Sequence, residues 1–261
     1  MTNPFSPLKE KIFLKLYFSQ TISLLGDAFT WVGIALLAFQ FGGTHSAAIL
    51  ATALTLRVVA FIIFGPYAGV LADRIDRKKI LYTTHFVRMA IVACLPFVTT
   101  ALQIYMLIFF LNIFNAFFTP AYQAAIPQSI KNEKEYGSGI ALSNATNQLL
   151  GVLGPGLAGA IAAWLGAREI FFVDAASFII AAVIILTLPS LMIIRKEKPS
   201  GSHPAKIWTD IVKGTRTLFE NKAVRFVLLI ELVSAIAGAQ ILVNTVGFVK
   251  GQLHLGDKQY G

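Results

Sequence analysis

Seven long apolar runs, separated by short polar breaks, set the pattern of this chain. They fall at about Leu16–Phe41, Ala47–Ala72, Ile80–Thr100, Ile104–Pro127, Gly139–Leu165, Ile170–Pro189 and Phe226–Val249. Each is long enough to cross a hydrocarbon core of about 30 Å at about 1.5 Å per helical residue. The pattern predicts an all-α polytopic membrane protein with seven spans. One connection is longer than the rest, from Ile194 to Arg225. It opens with the polar stretch Arg195-Lys196-Glu197-Lys198-Pro199-Ser200-Gly201-Ser202. Ile207, Trp208, Ile211, Val212, Leu218 and Phe219 then recur on one helical face, leaving Lys206, Lys213 and Arg216 for the polar face. That spacing predicts an amphipathic helix along the membrane surface. The long connection sets six runs over 1–194 apart from a linker over 195–225 and a seventh run within 226–261.

Composition agrees with the pattern. The 261 residues are 56% hydrophobic and 13% charged, with mean hydropathy +0.70; a soluble domain is about 25% charged. The net charge of +9 would suit nucleic acid if it were clustered on one surface. Instead the basic residues sit in loops, and on alternate loops. Of 22 Lys and Arg, 17 fall on the side of the amino terminus, only Arg168, Lys250 and Lys258 on the other, and Arg57 and Arg88 within runs. Cytoplasmic loops carry the excess of Lys and Arg. The expected topology is therefore amino terminus inside and, after seven spans, carboxyl terminus outside. The lipid bilayer, not nucleic acid, is the expected partner. Cys94 is the single cysteine, so no intramolecular disulfide can form. His45, His85, His203 and His254 are scattered, and no metal site or cofactor is expected.

The break between the second and third runs is the most specific segment. It reads Gly69-Val70-Leu71-Ala72-Asp73-Arg74-Ile75-Asp76-Arg77-Lys78-Lys79. Gly-x-x-x-Asp-Arg-x-x-Arg-Lys resembles the loop 2–3 signature of the major facilitator superfamily of transporters. It departs from the common pattern at Asp76, where glycine is usual and some efflux branches carry an acid. The resemblance implies a fold of two six-helix halves, of which this chain holds the first half, the central loop and a seventh helix; it is incomplete relative to twelve helices. It further implies that Gly69, Asp73, Arg74, Arg77 and Lys78 belong to a conformational latch between the halves. The other reading of these charges is a topological anchor.

Further motifs narrow the branch. Gly151, Gly154, Pro155 and Gly159 resemble the helix 5 Gly-Pro signature of drug–proton antiporters, with the upstream glycine one residue off. Small residues permit close helix approach, and proline frees a backbone carbonyl. Phe117-Phe118-Thr119-Pro120-Ala121 and Asp174-Ala175-Ala176-Ser177-Phe178 resemble the branch of macrolide and siderophore exporters. The fourth run lacks the arginine that many antiporters carry there; Leu111-Asn112-Ile113-Phe114-Asn115-Ala116 stands in its place.

Five ionisable residues lie within runs: Asp27, Arg57, Arg88, Asp174 and Glu231. Each costs at least about 2.5 kcal/mol at the bilayer centre, so pairing or function is the default. Asp27 is the leading candidate for coupling, because the resemblance places its helix against the cavity. Counting along the helices brings Asp27 and Arg57 to within about two helical turns in depth, and puts Arg88 and Glu231 on the cytoplasmic side of their helices. For Arg57, Arg88 and Glu231, structural ion pairing and function stand side by side. Asp174, about a turn from the outer helix end, is placed where it could reach water, and an interfacial position and a function stand side by side. Asn112, Asn115, Asn144, Asn147 and Gln148 add polar groups. Asn144 and Gln148, four apart, share a face that either lines a cavity or hydrogen-bonds a neighbouring helix.

Catalytic motifs are absent: no Gly-x-Ser-x-Gly, no His-Glu-x-x-His, and Leu24-Leu25-Gly26-Asp27 lacks the first glycine of an intramembrane aspartyl protease. An enzyme is not expected. The expected function is a secondary active transporter in the cell membrane. It would export an amphipathic small molecule by alternating access, with the proton as candidate coupling ion. The alternative is a non-transporting truncated fragment, or a half-transporter that needs a partner polypeptide.

Overall fold

A computed structural model of the chain describes residues 5–130, 132–191, 220–246, 248–249 and 253. The expected amphipathic helix after Pro204 lies outside the described residues. The described residues form seven α-helices: α1 (Lys11–Gly42), α2 (Ser46–Arg74), α3 (Arg77–Cys94), α4 (Ala101–Ser129), α5 (Glu133–Leu165), α6 (Ile170–Leu186) and α7 (Lys222–Val246). Four helical segments are long and apolar enough to cross a membrane: Lys11–Arg74, Arg77–Phe97, Ala101–Ser129 and Glu135–Leu165. The first is 64 residues long and contains both α1 and α2. Ile170–Leu186 is a shorter apolar helix.

Local chemistry sets the breaks. α1 ends at Gly43, whose φ of +51° is a conformation that favours glycine. Asp76 caps α3, its carboxylate accepting from the Lys78 amide. Pro96 helps turn the chain after α3, so the helix stops at Cys94 and Leu95–Phe97 form a 3-10 turn, short of the expected end at Thr100. Thr100 and Gln103 form a reciprocal capping box that starts α4. α5 begins at Glu133 rather than Gly139, because the polar residues before the apolar run continue its helix. Pro66, Pro120, Pro127 and Pro155 lie inside helices.

α2 packs chiefly on α4, α1 and α3 both pack on α6, and α5 lies along α1. α7 touches α2 and α1. The apolar core is split lengthwise. One cluster joins Ile34 and Leu37 to Val92, Ile104, Ile108 and Phe171. A second joins Phe13 and Leu16 to Leu81, Ala121, Ile126 and Ile185, at the opposite end of the same helices, and a third joins Phe29, Val32 and Leu36 to Ala158, Ala162 and Ile170. Between the first two lie buried polar residues: Ser23 and Thr30 on α1, His85 and Arg88 on α3, Asn112 on α4, Asp174 on α6. Burying polar groups costs unless they are paired. The polar belt at mid-length is therefore where a function other than packing is to be sought.

Candidate functional site

α1 carries Gln20, Leu24, Asp27 and Trp31 at spacings of four, three and four, which places them on one helical face. That face forms one wall of a cavity of about 1020 Å³. α5 supplies the opposite wall with Tyr136, Ile140, Asn144, Asn147 and Gly151 at the same periodicity. α4 contributes Asn115, Phe118 and Tyr122, and α2 contributes Arg57 and Phe61. Gly238, Ile241 and Thr245 of α7 complete the lining. The walls are largely aromatic and aliphatic, with amide and hydroxyl groups interspersed.

The charged centre lies where α1 meets α3. Arg88 Nη2 donates to Asp27 Oδ1 at 2.8 Å and to Oδ2 at 2.9 Å. One nitrogen thus spans the whole carboxylate. Arg88 is buried, and its guanidinium lies over Phe178 at 4.1 Å and Phe118 at 5.3 Å. Its Nε has no hydrogen-bond partner. Asp27 remains partly open to the cavity. The arrangement joins a desolvated cation to an acid that a solute can reach.

The other candidates take varied positions. Arg57 lines the cavity, lies over the Trp31 ring at 5.3 Å and feels the Asp27 charge, but Asp27 bonds Arg88 and not Arg57. Glu231 lies on α7, and its side chain is outside the described set. Asn112 is buried and local: its amide donates to the Ile108 carbonyl at 2.8 Å and it accepts from Asn115 at 3.3 Å. Asn115 and Asn144 line the cavity. Gln148 does not; it is exposed on another face, because the lining of α5 follows 140, 144, 147 and 151 rather than 144 and 148. Gly151 also faces the cavity, with nothing within 4 Å of a built Cβ. Gly154 packs against α1, where a Cβ would stand 2.7 Å from that of Ala28. Pro155 lines the cavity and Gly159 is buried.

Asp174 departs from the expectation. It does not reach water but is fully buried between α6 and α1. Position along a helix does not reveal which neighbour covers it.

At the other end of the bundle, Asp73 and Arg77 are 3.9 Å apart, one turn along the chain, with Arg77 Nε donating to the Ala72 carbonyl. Arg74 is exposed, and Gly69 has open space around it. Lys78 Nζ donates to the Leu188 carbonyl at 2.6 Å. The hub of this loop is Asp76. Its carboxylate accepts from Ser190 Oγ at 2.6 Å, from the Leu191 amide at 2.9 Å and from the Lys78 amide at 3.0 Å. Burial alone would raise this carboxyl, but the bonds from Ser190, Leu191 and Lys78 and the nearby Lys79 charge together hold it below its ordinary value. The departure from glycine at 76 thus ties the loop to the end of α6. An Asp directly before a helix is a capping signal, and it could have been read as one.

Comparison with known proteins places these features in a family. The uncharacterized MFS-type transporter YfiS of Bacillus subtilis (strain 168) is 28% identical over 214 residues, 80% of this chain and 49% of the relative. The staphyloferrin A transporter of Staphylococcus aureus (strain NCTC 8325 / PS 47) is 28% identical over 207 residues, 76% and 51% of the two chains. Macrolide efflux protein A of Streptococcus pyogenes is 25% identical over 225 residues, 84% and 54%. This chain therefore spans about half the length of the curated relatives it matches. The crystal structure of the nucleoside transporter NupG (D323A mutant) shares the fold, with TM-score 0.63 at 20% identity over 93% of this chain and 58% of that one. The family model of the Major Facilitator Superfamily matches residues 16–261, and this chain belongs to that superfamily of membrane transporters.

Proposed function

We propose that this chain forms the substrate-facing wall of a secondary active transporter that exports an amphipathic small molecule by alternating access, with the proton as coupling ion. The observation that carries the reading is the Asp27–Arg88 pair on the wall of the 1020 Å³ cavity. A cavity of this kind, apolar with a few placed polar groups, suits a drug-sized ligand. Trp31, Phe118 and Tyr136 offer rings for stacking, and Asn115, Asn144 and Asn147 offer hydrogen bonds. Asp27 is the acid that a weakly cationic solute or a proton would meet. Protonation or solute binding at Asp27 would release Arg88, a charge change of the size that biases a two-state equilibrium. The likeness to macrolide efflux protein A favours export.

The finer architecture belongs to the same proposal. The amino terminus lies inside and the carboxyl terminus outside, the plasma membrane is the host, and 1–194, 195–225 and 226–261 act as first domain, linker and start of a second domain. The loop cluster of Asp73 and Arg77 biases the inward- and outward-facing states rather than the binding of substrate.

The test uses everted membrane vesicles from cells that express the gene. A pH gradient should drive uptake of ethidium, an amphipathic cation. Asp27→Asn should abolish that uptake while leaving the amount of protein in the membrane unchanged. Equal uptake and equal pH dependence in the two proteins would remove Asp27 from coupling. Uptake of ethidium and of a macrolide no greater than in membranes lacking the gene would remove export of this class.

A further inference from the structure

The buried acid on α6 has no part in the reading above, yet it shares that site's cation. Asp174 is fully buried. Thr30 Oγ1 of α1 donates to its Oδ2, and Ser177 Oγ donates to its Oδ1 at 3.0 Å. α1 approaches this closely because residue 26 is glycine. A Cβ there would stand 2.0 Å from Ser177 Oγ and 2.2 Å from Asp174 Oδ1. The next residue is Asp27. Its partner Arg88 lies over Phe178, one turn along α6 from Asp174. The charges of Asp27 and Arg88 both act on Asp174. The titratable groups at this seam are Asp27 from α1, and His85 and Arg88 from α3; His85 touches Phe178, and Arg57 of α2 acts on Asp27. α5 adds none to the groups acting on Asp174 among the described residues.

Arg88 is thus the guanidinium that acts on both carboxyls, and it is already bonded to Asp27; Arg57 acts on Asp27 from the cavity wall and is not among the groups acting on Asp174. The hydroxyls of Thr30 and Ser177 bring hydrogen bonds but no charge. With both acids ionised, the Asp174 charge would stand away from water without a cation bonded to it, a costly state. One proton makes the seam neutral.

We propose that Asp174 is a proton-binding site: Asp27, Arg88 and Asp174 hold one proton among them, kept on Asp174 while Asp27 is bonded to Arg88. This rests on Asp27 as the coupling acid and assigns the coupled proton a place. A proton entering from the cavity binds Asp27, Arg88 turns to Asp174, and Asp174 gives up its proton. A cationic solute at Asp27 has the same effect, one positive charge arriving as one proton leaves. The seam is neutral before and after either exchange. Asp27 faces the cavity and Asp174 is sealed, so Asp27 is the entry and Asp174 the store.

The test reads the proton directly. The purified chain in lipid nanodiscs at neutral pH is followed by infrared difference spectroscopy on deuterium exchange. The wild type should show a C=O band of a protonated carboxyl. Asp174→Asn should remove it. Asp27→Asn should also remove it, because Arg88 then has Asp174 as its sole acid. Arg88→Gln should preserve it, since Asp174 then loses the cation that acts on it while Arg57 still acts on Asp27. No band in the wild type, or a band untouched by Asp174→Asn, would overturn the site; a band that survives Asp27→Asn would overturn the sharing. If Asp174→Asn does not fold, the Asp27 and Arg88 variants decide alone. None of these readouts needs transport, so failed ethidium uptake with the expected bands sinks only the export reading. Intact uptake without the band sinks only the proton store.

Discussion

Two carboxylate–arginine pairs occur among the described residues; the arginine of each is buried, but their length, reach and carboxylate exposure differ. At mid-length, Asp27 and Arg88 join α1 to α3 across 61 residues of sequence at 2.8 Å, with side chains 28% and 2% exposed. In the loop, Asp73 and Arg77 are 3.9 Å apart within four residues, and Asp73 is 61% exposed. The first pair is desolvated on one side and fixed by aromatic rings; removing one partner strands a charge. The second is held at the outer limit of an ion pair, with its carboxylate in water and its guanidinium buried beside the Ala72 carbonyl. A strong buried pair stores a charge until something specific replaces it. A long, half-exposed pair opens at smaller cost. The same residue types thus do different work because their dielectric surroundings differ.

The largest effect that would break this comparison is at Arg88. Arg88→Met should destabilise the protein by about 3–5 kcal/mol, the range for removing one member of a buried pair. Thermal unfolding in detergent would show it as a lowered midpoint. A loss no larger than that of Arg77→Met would erase the distinction between the pairs. Next comes the close approach that frames the buried seam. Gly26→Ala should cost about 1–3 kcal/mol by overpacking against Ser177 and Asp174. Gly69→Ala, with open space around it, should be neutral or stabilising by about 0.5–1 kcal/mol through helix propensity. Equal effects of the two would mean that α1 does not rest on α6 as described.

A smaller effect is expected at Asp76. Asp76→Ala should cost about 1 kcal/mol through the lost cap. Its carboxyl is held below its ordinary value, so its contribution is present above the unfolded value of about 3.9 and is lost as pH falls through the lower folded value. The difference in unfolding midpoint between wild type and Asp76→Asn should be flat near neutral pH and shrink only in acid. A difference that shrinks above pH 6 would assign the effect to another group. The smallest stability effect belongs to Asp73→Asn, at about 0.3–0.5 kcal/mol. Its expected signature is kinetic: turnover falls more than equilibrium binding of ethidium, and Arg77→Ala adds less than its own single loss. Strictly additive losses would leave the two residues as topology anchors.

The linear chain showed some of this site and hid the rest. Asp27 stood out because a lone carboxylate in an apolar run demands an explanation. The face of Gln20, Leu24, Asp27 and Trp31 was present in the spacing but is legible only once the cavity side of α1 is known. Asn144 and Gln148 illustrate the limit: four residues apart, they share a face in the abstract, yet the cavity takes Asn144 and Asn147. Periodicity fixes relative directions on a helix, not which direction meets a neighbour. Asp174 sits near a helix end, and only the position of α1 buries it.

The sequence by itself determined that this is a helical membrane protein, where most helices begin and end, and which superfamily signature its second loop carries. Those properties follow from local facts: runs long enough for a bilayer, prolines and caps at the breaks, and charges that partition between loops. The tertiary structure decided which acid meets which arginine. Asp27 stood near Arg57 in depth by counting along the helices, and meets Arg88 by packing. Such pairings depend on the rotation and contact of whole helices, set by glycines such as Gly26 and by rings such as Phe178 that are distant in sequence. A charge buried away from water is governed by its nearest neighbours, and only the folded chain supplies them.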